Sequence, residues 1–288
     1  MHFNKNNIPW KWSELSYAGE TRVPPADESG AAYWPLFFLK RNEKGQFTDD
    51  SGNILPLDIR HPDTIDFGGE QLEVVRHTLN NLTQEKICMA EYWNSGPATK
   101  QWTPIIDRLI DTYKISATRA ARILASAHGG ISDSAVVTWY LKYHYNVPRP
   151  NQLDQTLETI TCTPYHPSYP AGHAVMSGCA EVILSYFFTP EKHQLKRLAE
   201  ECSISRVYAG VHYPADVLEG LRVGRYLGSV ITGILEKQHD GLGCKVDFHI
   251  TKSRNAVLMP PPYEQVIKFE RKRTCKSLLD PRQCPEAR

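Results

Sequence analysis

From about Gly69 to Lys237 the apolar residues recur at helical spacing, and each interruption reads as a helix start or stop rather than a strand. Leu72, Val75, His77 and Leu79 fit one short helix; Ile87, Ala90 and Trp93 fit a second, capped near Thr83. Ile105, Ile106, Leu109 and Ile110 mark a third between Trp102 and Tyr113, and Ser116 is placed to cap a fourth over Ala117 to Ala127. The sequence His128-Gly-Gly130 reads as a break, after which Ser132 caps a helix from Asp133 to about Tyr145 that Pro148 and Pro150 prevent from continuing. Further helices are expected from near Pro170 to Tyr186, from Thr189-Pro190 onward, and after His212-Tyr-Pro214. In this last helix Gly220, Gly224 and Gly228 form a flat face for close contact with another helix.

The ends look different. Residues 1 to about 68 are rich in Pro, Gly, Asn and Asp and read as wrapping coil, with one short hairpin from the run Trp34–Leu39 through Asn42-Glu-Lys-Gly45 to Phe47-Thr48. The acidic stretch Thr48 to Asn53 lacks the alternating ligands and closing Glu of a calcium loop and is expected to be a surface turn. Residues 238–288 read as an irregular basic tail, with Lys268 to Lys276 its most basic part. These features give an all-α expectation, with 1–288 as one domain and a helical core over about 69–237.

A net charge of +1 excludes a global positive field and gives no support for a nucleic-acid partner. The most apolar window, Val217 to Leu235, contains Glu219, Arg222 and Arg225, so no membrane span is expected. Met1 to Trp12 lacks the apolar stretch of a secretory signal, which suggests a cytoplasmic protein. The seven cysteines form no close pair and read as buried or free thiols in a reducing compartment, Cys275 and Cys284 being the least constrained.

Three blocks carry the chemistry. Lys142 is followed after six residues by Arg149-Pro150; Pro170-Ala-Gly-His173 opens a helix; Ser205-Arg206 is followed by His212 and, four residues later, Asp216. A small anion of charge two or three needs fixed cations, which Lys142, Arg149 and Arg206 supply. Gly172, at a helix start, adds directed backbone N–H groups and lets the anion come close. An anion so neutralised is electrophilic at its centre. His212, with Asp216 holding its other nitrogen, is the candidate nucleophile or coordinating residue, and His173 the candidate general acid or base at the opposite apex. Taken singly, each of these residues is more simply a surface charge or a satisfied structural histidine; the case rests on their joint order. Ser205, His212 and Asp216 do not make a serine hydrolase, because no Gly-x-Ser-x-Gly elbow is present.

In this order the blocks resemble the signature of the vanadium-dependent haloperoxidase and acid phosphatase superfamily, which includes type 2 phosphatidic acid phosphatases. The resemblance covers Lys142 to Asp216 and implies a helix bundle with the site inside it. It also implies one of two chemistries. In one, vanadate is the cofactor, His212 its axial ligand, and hydrogen peroxide and halide the substrates. In the other, a phosphate ester is hydrolysed through a phosphohistidine on His212, with no cofactor. Trp139, three residues before Lys142, resembles a halide-pocket tryptophan, and His166 resembles the extra histidine of the bromoperoxidases; both tilt the reading toward a haloperoxidase. A non-catalytic anion-binding homologue is the third possibility, against which the presence of both His173 and His212 speaks. Ala171 departs from the family pattern, which usually has serine before Gly-His. The glycine-faced helix near Gly224 and the long ends suggest that a homo-oligomer is possible.

Overall fold

The computed structural model describes residues 10–268 and 274–279, so Met1 to Pro9, most of the basic run Lys268–Lys276 and Cys284 lie outside the described residues. The described chain is mostly helical, as expected. The helices are α1 (Leu72–Asn80), α2 (Gln84–Asn94), α3 (Thr99–Tyr113), α4 (Ala117–Tyr145), α5 (Pro150–Leu153), α6 (Gly172–Phe187), α7 (Lys192–Tyr208) and α8 (Pro214–Glu236). None of the described helices is long and apolar enough to cross a membrane.

The centre of the bundle is α6, which α4, α7 and α8 surround. Its Ala174, Val175, Cys179, Ala180, Ile183 and Leu184 are fully buried. The glycine face of α8 lies against it as the spacing predicts. A Cβ at Gly224 would sit 2.1 Å from the Val175 carbonyl oxygen, and one at Gly220 would sit 2.8 Å from the Ala174 Cβ. This contact brings the first turn of α8 beside the start of α6, where the Ala171 N–H donates to the Asp216 carbonyl at 3.0 Å. Packing of small residues thus fixes two of the three chemical blocks relative to each other.

The expected break at His128-Gly-Gly130 does not occur, and α4 runs unbroken through it. The glycines serve packing instead: a Cβ at Gly130 would meet Ile183 at 2.2 Å, and one at Gly129 would meet Phe38 at 2.9 Å. Two helical glycines cost roughly 1 kcal/mol each relative to alanine, which close burial offsets. The helix ends at Asn146, in the left-handed region at φ 53°, whose N–H returns to the Lys142 carbonyl. The segment 151–169 is also less of a loop than expected, since α5 takes its first residues.

The hairpin pairs β1 (Lys40–Arg41) with β2 (Phe47–Thr48), later in the chain than the run Trp34–Leu39 suggested. The cause is a competing acceptor: the N–H groups of Phe37, Phe38 and Leu39 donate to the buried Asp133 carboxylate on α4, at 2.7 to 2.9 Å, instead of to a strand. In the acidic turn, the Asp49 side chain accepts from Ser51 N–H, Asn53 N–H and Asn53 Nδ2, the pattern of a surface turn.

The cysteine expectation needs correcting. Cys162 and Cys275 form a disulfide although 113 residues apart, and Cys88 is disulfide-bonded too; Cys179, Cys202 and Cys244 are free. The returning tail makes the bridge possible, with Thr159 N–H donating to Ser277 and Leu279 N–H to Thr159. Disulfides form in oxidising compartments, so these residues give the expected reducing environment no support.

Candidate active site

Each block delivers its side chain from a different element. Lys142 stands in the last turn of α4, Arg149 caps α5, Gly172 and His173 open α6, Arg206 ends α7, His212 lies in the α7–α8 connection and Asp216 in the first turn of α8. Lys142, Arg149 and Asp216 are 0% exposed, Arg206 1% and His212 2%, so these are interior groups and not surface charges. The surface-charge explanation of the cations is thereby excluded.

Asp216 organises the imidazole. Its Oδ2 lies 2.8 Å from His212 Nδ1 and accepts from Ser168 Oγ at 2.5 Å and from Tyr213 N–H at 3.0 Å. A carboxylate can only accept, so Nδ1 carries the proton and Nε2 presents its lone pair, toward which Arg149 Nη1 points at 2.9 Å. Arg149 is held in turn by the carbonyls of Val211 and His166 and by His166 Nδ1. Arg206 is fixed by Ser205 Oγ, Asn94 Oδ1 and the Ala90 carbonyl. Lys142 gives two of its three N–H donors to the Pro167 and Ser168 carbonyls, and among the described residues nothing takes the third. His173 Nε2 donates to the Trp93 carbonyl at 3.0 Å, which leaves Nδ1 as its working nitrogen.

Burial first, and neighbouring positive charge second, shift Lys142 and the three imidazoles downward. Burial, and then Arg149, hold Lys142 well below the usual lysine range, with Asp216 pulling the other way. Burial, and then Arg206, take His173 down to about 3. His212 and His166 are lowered for the same reasons, with Lys142 and Arg149 the neighbouring charges in both cases. Burial raises Asp216 to about 6 against the opposing hydrogen bond from Ser168. Arg149 contacts both His212 and His166, and His173 and Arg206 line the same pocket as these two imidazoles, which places the cluster at one spot.

Arg206, His212, His173 and Gly172 line a pocket of about 730 Å³. Trp139 and His166 line it as well, with ring centroids 4.8 Å apart. The structure therefore brings together all nine residues singled out from sequence. Sequence reasoning missed Ser168, which braces Asp216, and Asn94, which braces Arg206. It also missed Asp27, whose carbonyl receives Trp139 Nε1 and the Tyr143 hydroxyl and so makes the N-terminal wrap a pocket wall. Ser168 lies within His166-Pro-Ser-Tyr-Pro-Ala-Gly-His173, and its closeness to the second block was the available signal.

The comparisons with known proteins agree with this geometry. Residues 122–240 match the profile of the PAP2 superfamily. The chain is 32% identical over 117 residues to a vanadium-dependent bromoperoxidase of Corallina pilulifera, covering 31% of this chain and 19% of that protein. It is also 32% identical over 81 residues to phosphatidylglycerophosphatase B of Bacillus subtilis (strain 168), covering 24% and 40%. The chain thus spans about a fifth of the bromoperoxidase's length and two fifths of the phosphatase's. A bacterial vanadium-dependent iodoperoxidase superposes with a TM-score of 0.61 at 22% identity, covering 79% of this chain and 61% of that one. An apo bacterial vanadium-dependent chloroperoxidase gives 0.60 at 12% identity, covering 79% and 63%. At these identities the structural matches establish the fold. With the helical architecture, the motif order and the profile match in agreement, residues 122–240 are similar to the PAP2 superfamily, and the relatives that the chain resembles include both vanadium haloperoxidases and phosphatases.

Proposed function

We propose that the protein is a vanadate-dependent haloperoxidase that uses hydrogen peroxide to oxidise bromide or iodide, and that the oxidised halide then halogenates an organic compound. The observation carrying this reading is the pairing of Trp139 with His166 in the same pocket as His212 and His173. A phosphatase needs the cradle and the two histidines; a halide needs an additional, partly apolar niche beside them.

The donor set fits vanadate. Lys142, Arg149 and Arg206 are buried with Asp216 as the carboxylate among them, an arrangement that is costly unless a multiply charged anion neutralises it. His212 Nε2 would hold the anion together with Arg149, Arg206, Lys142 and the N-terminal amides of α6. When bound, vanadate supplies Lewis-acid activation of peroxide toward halide without a change of its own oxidation state. The protein's part is to keep His212 Nδ1 protonated through Asp216, to donate the remaining N–H of Lys142 to a peroxide oxygen, and to move a proton at His173 Nδ1.

The alternative is hydrolysis of phosphate monoesters, with His212 Nε2 attacking phosphorus and His173 protonating the leaving oxygen. The Asp216–His212 pair at 2.8 Å serves that reaction equally well. Two assays on the purified protein separate the readings: bromide and iodide oxidation with peroxide, with and without vanadate, and p-nitrophenyl phosphate hydrolysis, with and without vanadate. Vanadate-dependent halide oxidation is expected. Ester hydrolysis that vanadate inhibits, without halide oxidation, would replace this reading with the phosphatase.

A further inference from the structure

The pocket is much larger than its anion needs. Five heavy atoms occupy about 150 Å³ at the volume of a liquid water each, which leaves most of the roughly 730 Å³ for something else. That remainder lies within the range of sites for drug-sized organic ligands.

Its floor is one stripe of α4. His128, Ser132, Ala135 and Trp139 stand at helical intervals, each partly exposed, while Ile131, Asp133, Ser134, Val136, Val137 and Thr138 around them are buried. At 1.5 Å per residue the stripe runs about 21 Å from Lys142 out to His128. On α6 the partly exposed residues near the site are His173 and Met176, and both face the same space. Pro97 and Ala98 line the same space. Beyond Trp139 the channel is lined mainly by the apolar Ala135, Ile131, Met176, Pro97 and Ala98, with the hydroxyl residues Ser132, Thr99 and Thr103 among them and no Lys, Arg, Asp or Glu up to His128.

We propose that this channel binds the organic acceptor itself: an elongated apolar molecule whose electron-rich aromatic ring lies beside Trp139 and His166 while its apolar tail extends along α4. The proposal rests on the haloperoxidase reading and names its substrate class. For a phenol ArH the balance is ArH + Br⁻ + H2O2 + H⁺ → ArBr + 2 H2O. Bromide loses two electrons, the peroxide oxygens gain two, a ring C–H bond is replaced by C–Br, and the ring proton goes to water. Halogenation inside the channel distinguishes molecules by their tails, which a diffusing hypohalite does not.

The test uses phenol and 4-methyl-, 4-butyl- and 4-octylphenol with the full chain. Binding is read by calorimetry, and bromination by competition between 4-butylphenol and 4-octylphenol. Each buried methylene strengthens binding by up to about fourfold, so affinity should climb along the series and 4-octylphenol should be brominated at least tenfold in preference to 4-butylphenol. Ala135→Trp, which fills the channel, should remove both effects, and Ala135→Leu should reduce them if the larger change prevents folding. Affinity independent of tail length, or a preference equal to that of reagent hypobromite, would overturn the proposal. An absence of bromide oxidation with tail-dependent binding intact would overturn the acceptor role together with the haloperoxidase reading while upholding the channel.

Discussion

Ala171 stands where the family resemblance implies serine, fully buried at the N-cap of α6. Without a hydroxyl there, the cradle has one fewer donor to an oxyanion, and a hydrogen bond to a charged group contributes about 1.5 to 3 kcal/mol. Ala171→Ser should therefore tighten vanadate binding by tenfold or more, measured by calorimetry; unchanged affinity would mean that the missing hydroxyl has no place in the site. At His212 the expectation is loss: His212→Ala should abolish turnover of either kind while circular dichroism and the unfolding transition show an intact fold. Turnover retained in that variant would remove His212 from the chemistry. Acid stability follows from the imidazoles. His173 binds its proton only near pH 3 in the folded protein, against about 6.5 when unfolded. Between those values the unfolded state holds more protons, so stability is fully present above about pH 6.5 and is lost as pH falls toward 3. His166 and His212 are shifted in the same direction and add to this, while Asp216, raised to about 6, takes up its proton more readily in the folded state and offsets part of the loss. Denaturant midpoints measured from pH 8 to pH 4 should fall steadily, and a flat profile would contradict the buried, neutral imidazoles.

At the level of elements, the contact of α8 with α6 is what aligns the second and third blocks. Gly224→Ala would push a methyl group onto the Val175 carbonyl, whereas Gly233 on the same helix has nothing within 4 Å. Overpacking of this kind costs about 3 kcal/mol, while Gly233→Ala should be neutral or stabilise by up to about 1 kcal/mol through helix propensity. Urea titration of the pair separates a packing effect from a helix effect, and equal responses would contradict the close approach. The three-block order made the site legible in the sequence because each block sits at a helix end, where spacing constrains geometry. Gly129 and Gly130 were misleading for a physical reason: a glycine that breaks an exposed helix and one that lets a buried helix approach its neighbours look alike until the neighbours are known. Phe37 to Leu39 were read as strand because their apolar pattern says nothing of Asp133, 96 residues away from Phe37, which claims their N–H groups. Ser168 and Asn94 escaped notice because they act through Asp216 and Arg206, and such support is set by tertiary contact.

For the molecule as a whole, the disulfide between Cys162 and Cys275 ties the tail to the segment that carries His166 and Ser168. A bridge closing so long a loop contributes about 2 to 5 kcal/mol. The double variant Cys162→Ser, Cys275→Ser should therefore unfold at lower denaturant by about that amount, and an unchanged midpoint would deny the bridge a structural role. The N-terminal wrap has a comparable part, since Asp27 receives Trp139 and Tyr143 and the Phe37 to Leu39 amides dock on Asp133. Composition reads both ends as coil; among the described residues the N-terminal part carries short helical turns and the hairpin, and composition gives no sign that Asp27 lines the pocket.

All of this depends on one buried cluster of cations and imidazoles accepting a multiply charged oxyanion, and titration of the purified protein with orthovanadate reads that event directly. One site per chain is expected. Arg149→Ala or Arg206→Ala should weaken it at least tenfold, since each removes charged hydrogen bonds of about 1.5 to 3 kcal/mol. No saturable binding, or binding that both substitutions leave unchanged, would contradict the account.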